Sequence, residues 1–266
     1  MAPEVDDIPR SADSGLPGDN GYRNHSCPAC KSAEVREYHV IGEYNILKCA
    51  ECGHVFVQDI PSDAELSAFY EDAYQDEGEF VPKIRWHRKL KYWIIGRYLK
   101  SLFPWKEKIR LLEIGCSQGD LLRAVRNDRR FEAQGIDYAT GPVEYAKSIG
   151  LRVTQSSLEG MCFPDNRFNM IVAIHVVEHL QDPERTLLEV RRVLDKGGYF
   201  LAVVPCISHI KAKRAGGNWK YWGPPGHLWY FSSKSFRVFL ERLGFEVIYS
   251  SCLNNQAHLR ILARKP

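Results

Sequence analysis

Apolar positions along this chain follow two habits. Short unbroken apolar runs read as strands buried on both faces, and stretches with apolar residues every three or four positions read as helices. In order, the pattern predicts a strand ending at Ile114, a helix over Asp120–Asn127 and a strand over Phe131–Asp137. A helix follows, with Pro142 at its first position and Gly150 at its end, and then a strand over Leu151–Thr154. Phe168–Ile174 is a continuous apolar strand, Pro183–Leu194 a helix stopped by Lys196-Gly197-Gly198, and Tyr199–Pro205 a strand. Ser232–Leu243 is a helix, followed by two further candidate strands, Phe245–Ser251 and Gln256–Ala263. Strands alternating with helices predict an α/β fold with a doubly wound sheet.

The N-terminal part has a different pattern. Residues 1–21, rich in Pro, Gly, Ser and Asp, read as a disordered tail. Glu37–Lys48 alternates like a hairpin. Ser62 and Glu65 mark a helix start, and residues 83–102 read as an amphipathic helix ended by Pro104. The expected organisation is a tail (1–21), a small module (22–58), a helical linker or cap (59–104) and a main domain (105–266) with an irregular insert at 206–231.

With 266 residues, the chain suits one full α/β domain plus a small module. Its net charge of +3 is too small to argue for nucleic acid. The charge is unevenly spread: residues 59–79 hold eight acids and no Lys or Arg, whereas 83–110 hold ten Lys or Arg and one acid. The basic, aromatic helix either lies on a membrane surface or covers the ligand pocket of the sheet, and the second reading is preferred. No apolar run approaches the roughly 18 residues that span a bilayer. Without a signal-peptide pattern, the expected location is the cytoplasm.

Eight cysteines sharpen this picture. Cys27-x2-Cys30 and Cys49-x2-Cys52, eighteen residues apart, make two knuckles whose thiolates can converge on a structural Zn²⁺. This zinc-ribbon-like module needs such a staple, because so short a segment buries little core. His25 and His39 are bystanders, and His54 is a weaker alternative ligand. A redox role for the C-x2-C pairs is disfavoured by their ribbon spacing.

The chemistry centres on Leu111-Leu112-Glu113-Ile114-Gly115-Cys116-Ser117-Gln118-Gly119. A buried strand breaks into a glycine-bearing turn where backbone can approach a ligand closely. A dinucleotide fingerprint wants three glycines, and only Gly115 and Gly119 are present. E-x-G-C-x-x-G after a strand resembles the first motif of class I S-adenosylmethionine-dependent methyltransferases. The resemblance implies a Rossmann-like seven-stranded sheet of methyltransferase type with a C-terminal antiparallel hairpin. It also implies that Gly115, Cys116 and Gly119 wrap the methionine end of the cofactor and that Glu113 orients the loop. Asp137, about 20 residues on at a strand's end, is placed to accept the ribose hydroxyls. Ser157, Leu158 and Glu159 fall where such enzymes hold adenine. The ribbon, then P-S-x-x-E-L-x-x-F-Y at 61–70, then the glycine motif, is similar to a bacterial group of which some members modify sugars or polysaccharide precursors.

His175-Val176-Val177-Glu178-His179 follows the fourth strand of the sheet. H-x-x-E-H also matches a metalloprotease pattern, but that needs its ligands on one helical face and a strand runs into His175. Ubiquinone-biosynthesis methyltransferases carry E-x-x-E-H here, some with a divalent metal; His175 replaces the first glutamate. His175 is therefore expected to contact the cofactor, with Glu178 and His179 orienting the loop. The insert, rich in Lys, Trp, Tyr and Gly, is the expected acceptor site. His227, in P-P-G-H-L-W-Y-F, is the first candidate base, His175 the second, and Tyr230 an acceptor-binding residue.

The function expected is methyl transfer from S-adenosylmethionine to a small-molecule or saccharide-linked acceptor, at oxygen or else carbon. A non-catalytic zinc-ribbon adaptor and an NAD-dependent oxidoreductase are the competing readings. Base methylation of nucleic acid is disfavoured because no N-P-P-Y follows the fourth strand. Peripheral membrane contact stays open through the helix at 83–102.

Overall fold

The computed structural model describes residues 22–62, 64–66, 68–69, 82, 86–105, 108–253 and 257–266. The expected tail at 1–21 and most of the acidic stretch lie outside them. Seven strands form the main sheet: β6 (Ile109–Ile114), β7 (Phe131–Asp137), β8 (Val153–Gln155), β9 (Phe168–Ile174), β10 (Leu194–Pro205), β12 (Glu246–Leu253) and β13 (His258–Arg264). Their order is β12-β13-β10-β9-β6-β7-β8. All neighbours are parallel except β13, which runs antiparallel to both β10 and β12. This is the α/β sheet that the alternating pattern predicts, with the terminal antiparallel hairpin that the family resemblance implies.

The continuous apolar runs follow from burial on both faces. Met170, Val172 and Ile174 of β9 face Leu99 and Phe103, and Leu121 and Val125, while Ile171 and Ala173 face Leu187 and Val190 on the opposite side. Alternate residues of one strand thus feed two cores. One face is covered by α1 (Trp86–Ser101) and α2 (Asp120–Val125), the other by α4 (Pro183–Val193) and α6 (Ser233–Arg242); α3 (Thr140–Ser148) links β7 to β8. Ser232 caps α6 with a reciprocal bond to Ser235.

Several boundaries differ from expectation, among them the strands β8 (Val153–Gln155), β12 (Glu246–Leu253) and β13 (His258–Arg264). Pro142 is the third residue of α3, not its first. Helix α2 stops at Val125, before Asn127. Strand β10 begins at Leu194 instead of Tyr199, with a register irregularity between the two. Lys265 holds that early start: its ammonium donates to the Leu194 carbonyl at 2.7 Å, and its own carbonyl accepts from Gly197 N at 2.8 Å.

The N-terminal module builds a second sheet from β2 (Val35–Ile41), β3 (Tyr44–Cys49) and β4 (Val55–Val57), while β1 (Tyr22–Arg23) pairs with β5 (Asp59–Ile60). The fourth strand of that sheet is β11 (Trp229–Tyr230), from the insert. The insert also contains the short helix α5 (Ile210–Ala215). Cys27, Cys49, Cys52 and Phe56 share one continuous core with Trp229, Phe231 and Phe236. The cysteine module is therefore built into the main domain. At residues 62–65, the expected capping exchange is present: Ser62 N donates to Glu65 Oε2 at 2.7 Å, and Glu65 N donates to Ser62 Oγ at 3.3 Å.

Candidate active site

Strand order reverses between β6 and β9, and the crevice beyond their carboxyl ends is where open α/β sheets bind ligands. A cavity of about 370 Å³ opens there, in the range of small-molecule sites. Its walls are Glu113, Gly115, Cys116, Ser117, Asp120 and Asp137 from the sheet side, Ile174 and His175 from the end of β9, and Arg88, Lys91 and Tyr92 from α1. Helix α1 thus covers the pocket, as the preferred reading of residues 83–102 expects.

The glycine turn is shaped by close approach. Gly115 has φ +67°, and a Cβ there would come within 2.3 Å of Val176 Cγ2. Glycine is thus required both by conformation and by the chain that leaves β9. Gly115 N and Cys116 N both donate to the Ile136 carbonyl. Asp137 fastens the turn from the neighbouring strand: its Oδ2 accepts from Ser117 N at 2.7 Å and its Oδ1 from Ala139 N at 2.9 Å. Each oxygen retains a second lone pair toward the cavity.

Glu113 is 3% exposed, and its Oε2 has no hydrogen-bond partner among the described residues. Burial, then the charges of Asp120 and Asp137, raise its carboxyl well above the usual range, while the amide of Leu122 opposes the shift. Burial thus favours its neutral form beneath the loop.

His175 stands at the cavity wall with φ +57°, a conformation rare outside glycine and typical of functional positions. Its Nδ1 lies 3.1 Å from Glu178 Oε1, and Glu178 is 1% exposed. A buried carboxylate accepting from Nδ1–H leaves Nε2 with a free lone pair. The ring of His258, from the start of β13, packs at 4.5 Å against His175, and His258 Nε2 lies 2.6 Å from the Tyr221 hydroxyl. Nothing in the sequence marked His258, which the hairpin brings in, whereas Tyr221 belongs to the insert expected to bind the acceptor.

The other expected residues are placed differently. His227 does not line the cavity. Its Nδ1 donates to the Tyr221 carbonyl at 2.9 Å, and its ring packs at 4.6 Å against His179, whose Nδ1 donates to the Gly226 carbonyl. Glu178, His179 and His227 present ligand atoms within 4.8 Å of one another, a trio able to hold a divalent cation. Tyr230 is buried, and its hydroxyl donates to the His227 carbonyl at 2.8 Å, so it fastens the loop from behind instead of reaching an acceptor. Ser157, Leu158 and Glu159 lie outside the cavity wall. Leu158 is in the core, Ser157 Oγ accepts from Gly160 N, and Glu159 accepts from the Thr186 hydroxyl.

Cys27, Cys30, Cys49 and Cys52 converge, with Cys27 Sγ to Cys52 Sγ at 3.6 Å and Cys30 Sγ to Cys49 Sγ at 3.5 Å. Four sulfurs around one tetrahedral Zn²⁺ stand about 3.8 Å apart, so the set fits that ion. His54 is stacked among Phe56, Trp229 and Phe231, away from the cysteine quartet. Cys206 and Cys252 form a disulfide that the sequence reading did not pair.

Residues 85–250 match the family model described as a methyltransferase domain, well over half of the chain. The chain belongs to the methyltransferase family. The cavity opens beside its glycine motif, and the fold is that of class I S-adenosylmethionine-dependent methyltransferases. It is similar to ajmaline N-methyltransferase of Rauvolfia serpentina (30% identity, 40% of this chain and 38% of that one). It is also similar to the sterol 24-C-methyltransferase of Aspergillus fumigatus (32%, 39% and 29%) and a ubiquinone biosynthesis O-methyltransferase of Cereibacter sphaeroides (30%, 40% and 44%). The similarity thus spans less than half the length of each of these relatives, and their names cover nitrogen, carbon and oxygen acceptors. Among solved structures, a methyltransferase of Mesorhizobium loti superposes with TM-score 0.52 (14% identity, 63% of this chain, 96% of that one). The [4+2]-cyclase SpnF does so with the same score (18%, 64% and 80%). At such identity the likeness shows the fold alone. Among the described residues, no helix is long and apolar enough to cross a membrane.

Proposed function

We propose that this methyltransferase alkylates a hydroxyl of a small-molecule or saccharide-linked acceptor, with His175 as general base and Glu178 as the residue that orients it. The observation that carries this reading is the His175–Glu178 pair at the wall of the cavity that also contains Gly115 and Asp137. S-adenosylmethionine, when bound, supplies an electrophilic methyl on a sulfonium that departs readily. Gly115, Cys116 and Gly119 would cradle its amino-acid end, Glu113 would steady the loop, and Asp137 would accept the ribose hydroxyls. Much of the acceleration then comes from aligning the acceptor oxygen with the methyl group.

With the cofactor bound, His175 Nε2 would take the proton of the acceptor hydroxyl as its oxygen displaces the sulfonium, and would hold it as an imidazolium stabilised by Glu178. His227 and Tyr230 shape the acceptor side, His227 by packing on His179 and Tyr230 by holding the His227 carbonyl. The same base serves an activated carbon acid. The Cys27, Cys30, Cys49 and Cys52 set holds a structural Zn²⁺, closed to catalysis because all four positions are filled by protein. The enzyme works in the cytoplasm.

The test is transfer of radiolabelled methyl to an acceptor panel by His175→Asn and wild type. Turnover by the variant is expected to fall by about 10²–10⁴ with S-adenosylhomocysteine affinity retained. Equal turnover would remove His175 from the mechanism.

A further inference from the structure

Three cations crowd the outer side of the His175–His258 pair: Lys91 of α1, Lys220 of the insert and Arg260 of β13. Lys91 lines the cofactor cavity beside His175. Lys220 rests over the Tyr221 ring at 4.6 Å, and the hydroxyl of that ring meets His258. Arg260 is two residues beyond His258, on the same face of β13. The charges of Lys91, Lys220 and His175 bear on His258, and burial together with these charges lowers its imidazole to about 4. Burial first, then Arg88 and Arg260, lowers Lys91 as well.

Several cations elsewhere among the described residues are matched. Arg110 pairs with Asp195, Arg192 with Glu189, Arg242 with Glu184 and Arg264 with Glu246. Two carboxylates near the pocket mouth are engaged in ion pairs with other cations. Asp120 binds Arg88 and Arg123, and Glu178 binds His175. Among the described residues, Lys91, Lys220 and Arg260 have no ion-pair partner. Uncompensated like charges at a partly desolvated site repel one another, and a bound anion relieves that cost.

We propose that the methyl acceptor carries an oxyanion, and that Lys91, Lys220 and Arg260 hold that group at the mouth of the cofactor cavity beside His175 and His258. The proposal rests on the methyl-transfer reading and adds the chemical class of the substrate. Anchoring the charged end there leaves a neighbouring hydroxyl facing His175, so the same contacts that select the acceptor also orient it.

The experiment is calorimetric titration of the full chain, saturated with S-adenosylhomocysteine, with inorganic pyrophosphate and separately with citrate at constant ionic strength. Binding of either is expected, and preference between them assigns the anion as phosphoryl or carboxylate. K220Q combined with R260Q is expected to weaken that binding about 100-fold, roughly tenfold for each charge-assisted hydrogen bond lost, with S-adenosylhomocysteine affinity unchanged. K91Q alone gives the same direction should the double variant fold poorly, and the remote K196Q leaves binding unaltered. If S-adenosylhomocysteine binds but neither anion does, or if the variants bind the anion as well as wild type, the proposal is overturned. If S-adenosylhomocysteine itself fails to bind, the cofactor reading falls first and the proposal falls with it.

Discussion

Trp229 of the insert lies opposite Phe56 of the cysteine-bearing sheet, in antiparallel register, and the Trp229 indole donates to the Leu180 carbonyl. One residue thus ties the cysteine module to both the insert and the loop that follows β9. Next to it, Leu228 N donates to the Glu178 carbonyl at 2.8 Å. The module thus braces the loop that carries Glu178 and Leu180, the side on which the acceptor is proposed to bind. Cys49→Ser, or metal removal by a strong chelator, is therefore expected to abolish methyl transfer while S-adenosylhomocysteine still binds. Metal content by mass spectrometry together with calorimetry checks this. Simultaneous loss of cofactor binding would show that the module supports the whole domain.

Arg242 is the second tie. It pairs bidentately with Glu184 at 2.8 and 2.9 Å and donates to the Pro28 and Ala29 carbonyls of the first knuckle. Arg242, then Lys31, holds the Glu184 carboxyl down at about 2. A depressed carboxyl contributes stability above its ordinary value that disappears as pH falls through the folded one. Wild type should therefore lose on the order of 1–3 kcal/mol between about pH 4.5 and 2 from this group, discounted for its partial exposure. Arg242→Met should be less stable at pH 7 and lack that acid limb in denaturant titrations.

Glu113 has the opposite sign. Its carboxyl is raised by burial, so the unfolded chain ionises first and the folded protein bears a growing penalty as pH rises from the usual carboxylate range. Glu113→Gln removes the ionisation and keeps the shape. The variant should gain on wild type with rising pH, by up to about 1.4 kcal/mol per pH unit until the folded group titrates, and match it near pH 4. Urea unfolding at stepped pH measures the difference.

Gly115→Ala meets both a left-handed backbone and Val176. We expect a loss of cofactor affinity of at least about 100-fold with a smaller loss of stability, since the strain falls on the turn and the chain leaving β9. Differential scanning calorimetry with and without S-adenosylhomocysteine separates the two.

The local part of this architecture was legible in the sequence. Phe168–Ile174 matches its predicted strand because every residue is buried and Met170–Ile174 are all apolar; Phe131–Asp137 matches as well, although only Gly135 and Ile136 in it are buried. The two cysteine knuckles are short-range motifs, and their convergence follows from a hairpin between them. What escaped is non-local. Trp229–Tyr230 is a two-residue strand in an irregular insert, too short to carry a period, and its partner lies far back along the chain. His258 meets His175 only because β13 inserts beside β10 in reverse. His175 is delivered by β9 to the cavity wall while the insert's fold turns His227 toward His179, a difference in placement that no local pattern signals.

The most direct test of the account is calorimetric titration of the purified full chain with S-adenosylhomocysteine, beside Asp137→Ala and with NAD as comparison. The account predicts one site per chain for S-adenosylhomocysteine, none for NAD, and at least about tenfold weaker binding in the variant from the loss of charge-assisted hydrogen bonds at the ribose. Unchanged affinity in Asp137→Ala, or no binding by folded wild type, would contradict the placement of the cofactor in the cavity between β6 and β9.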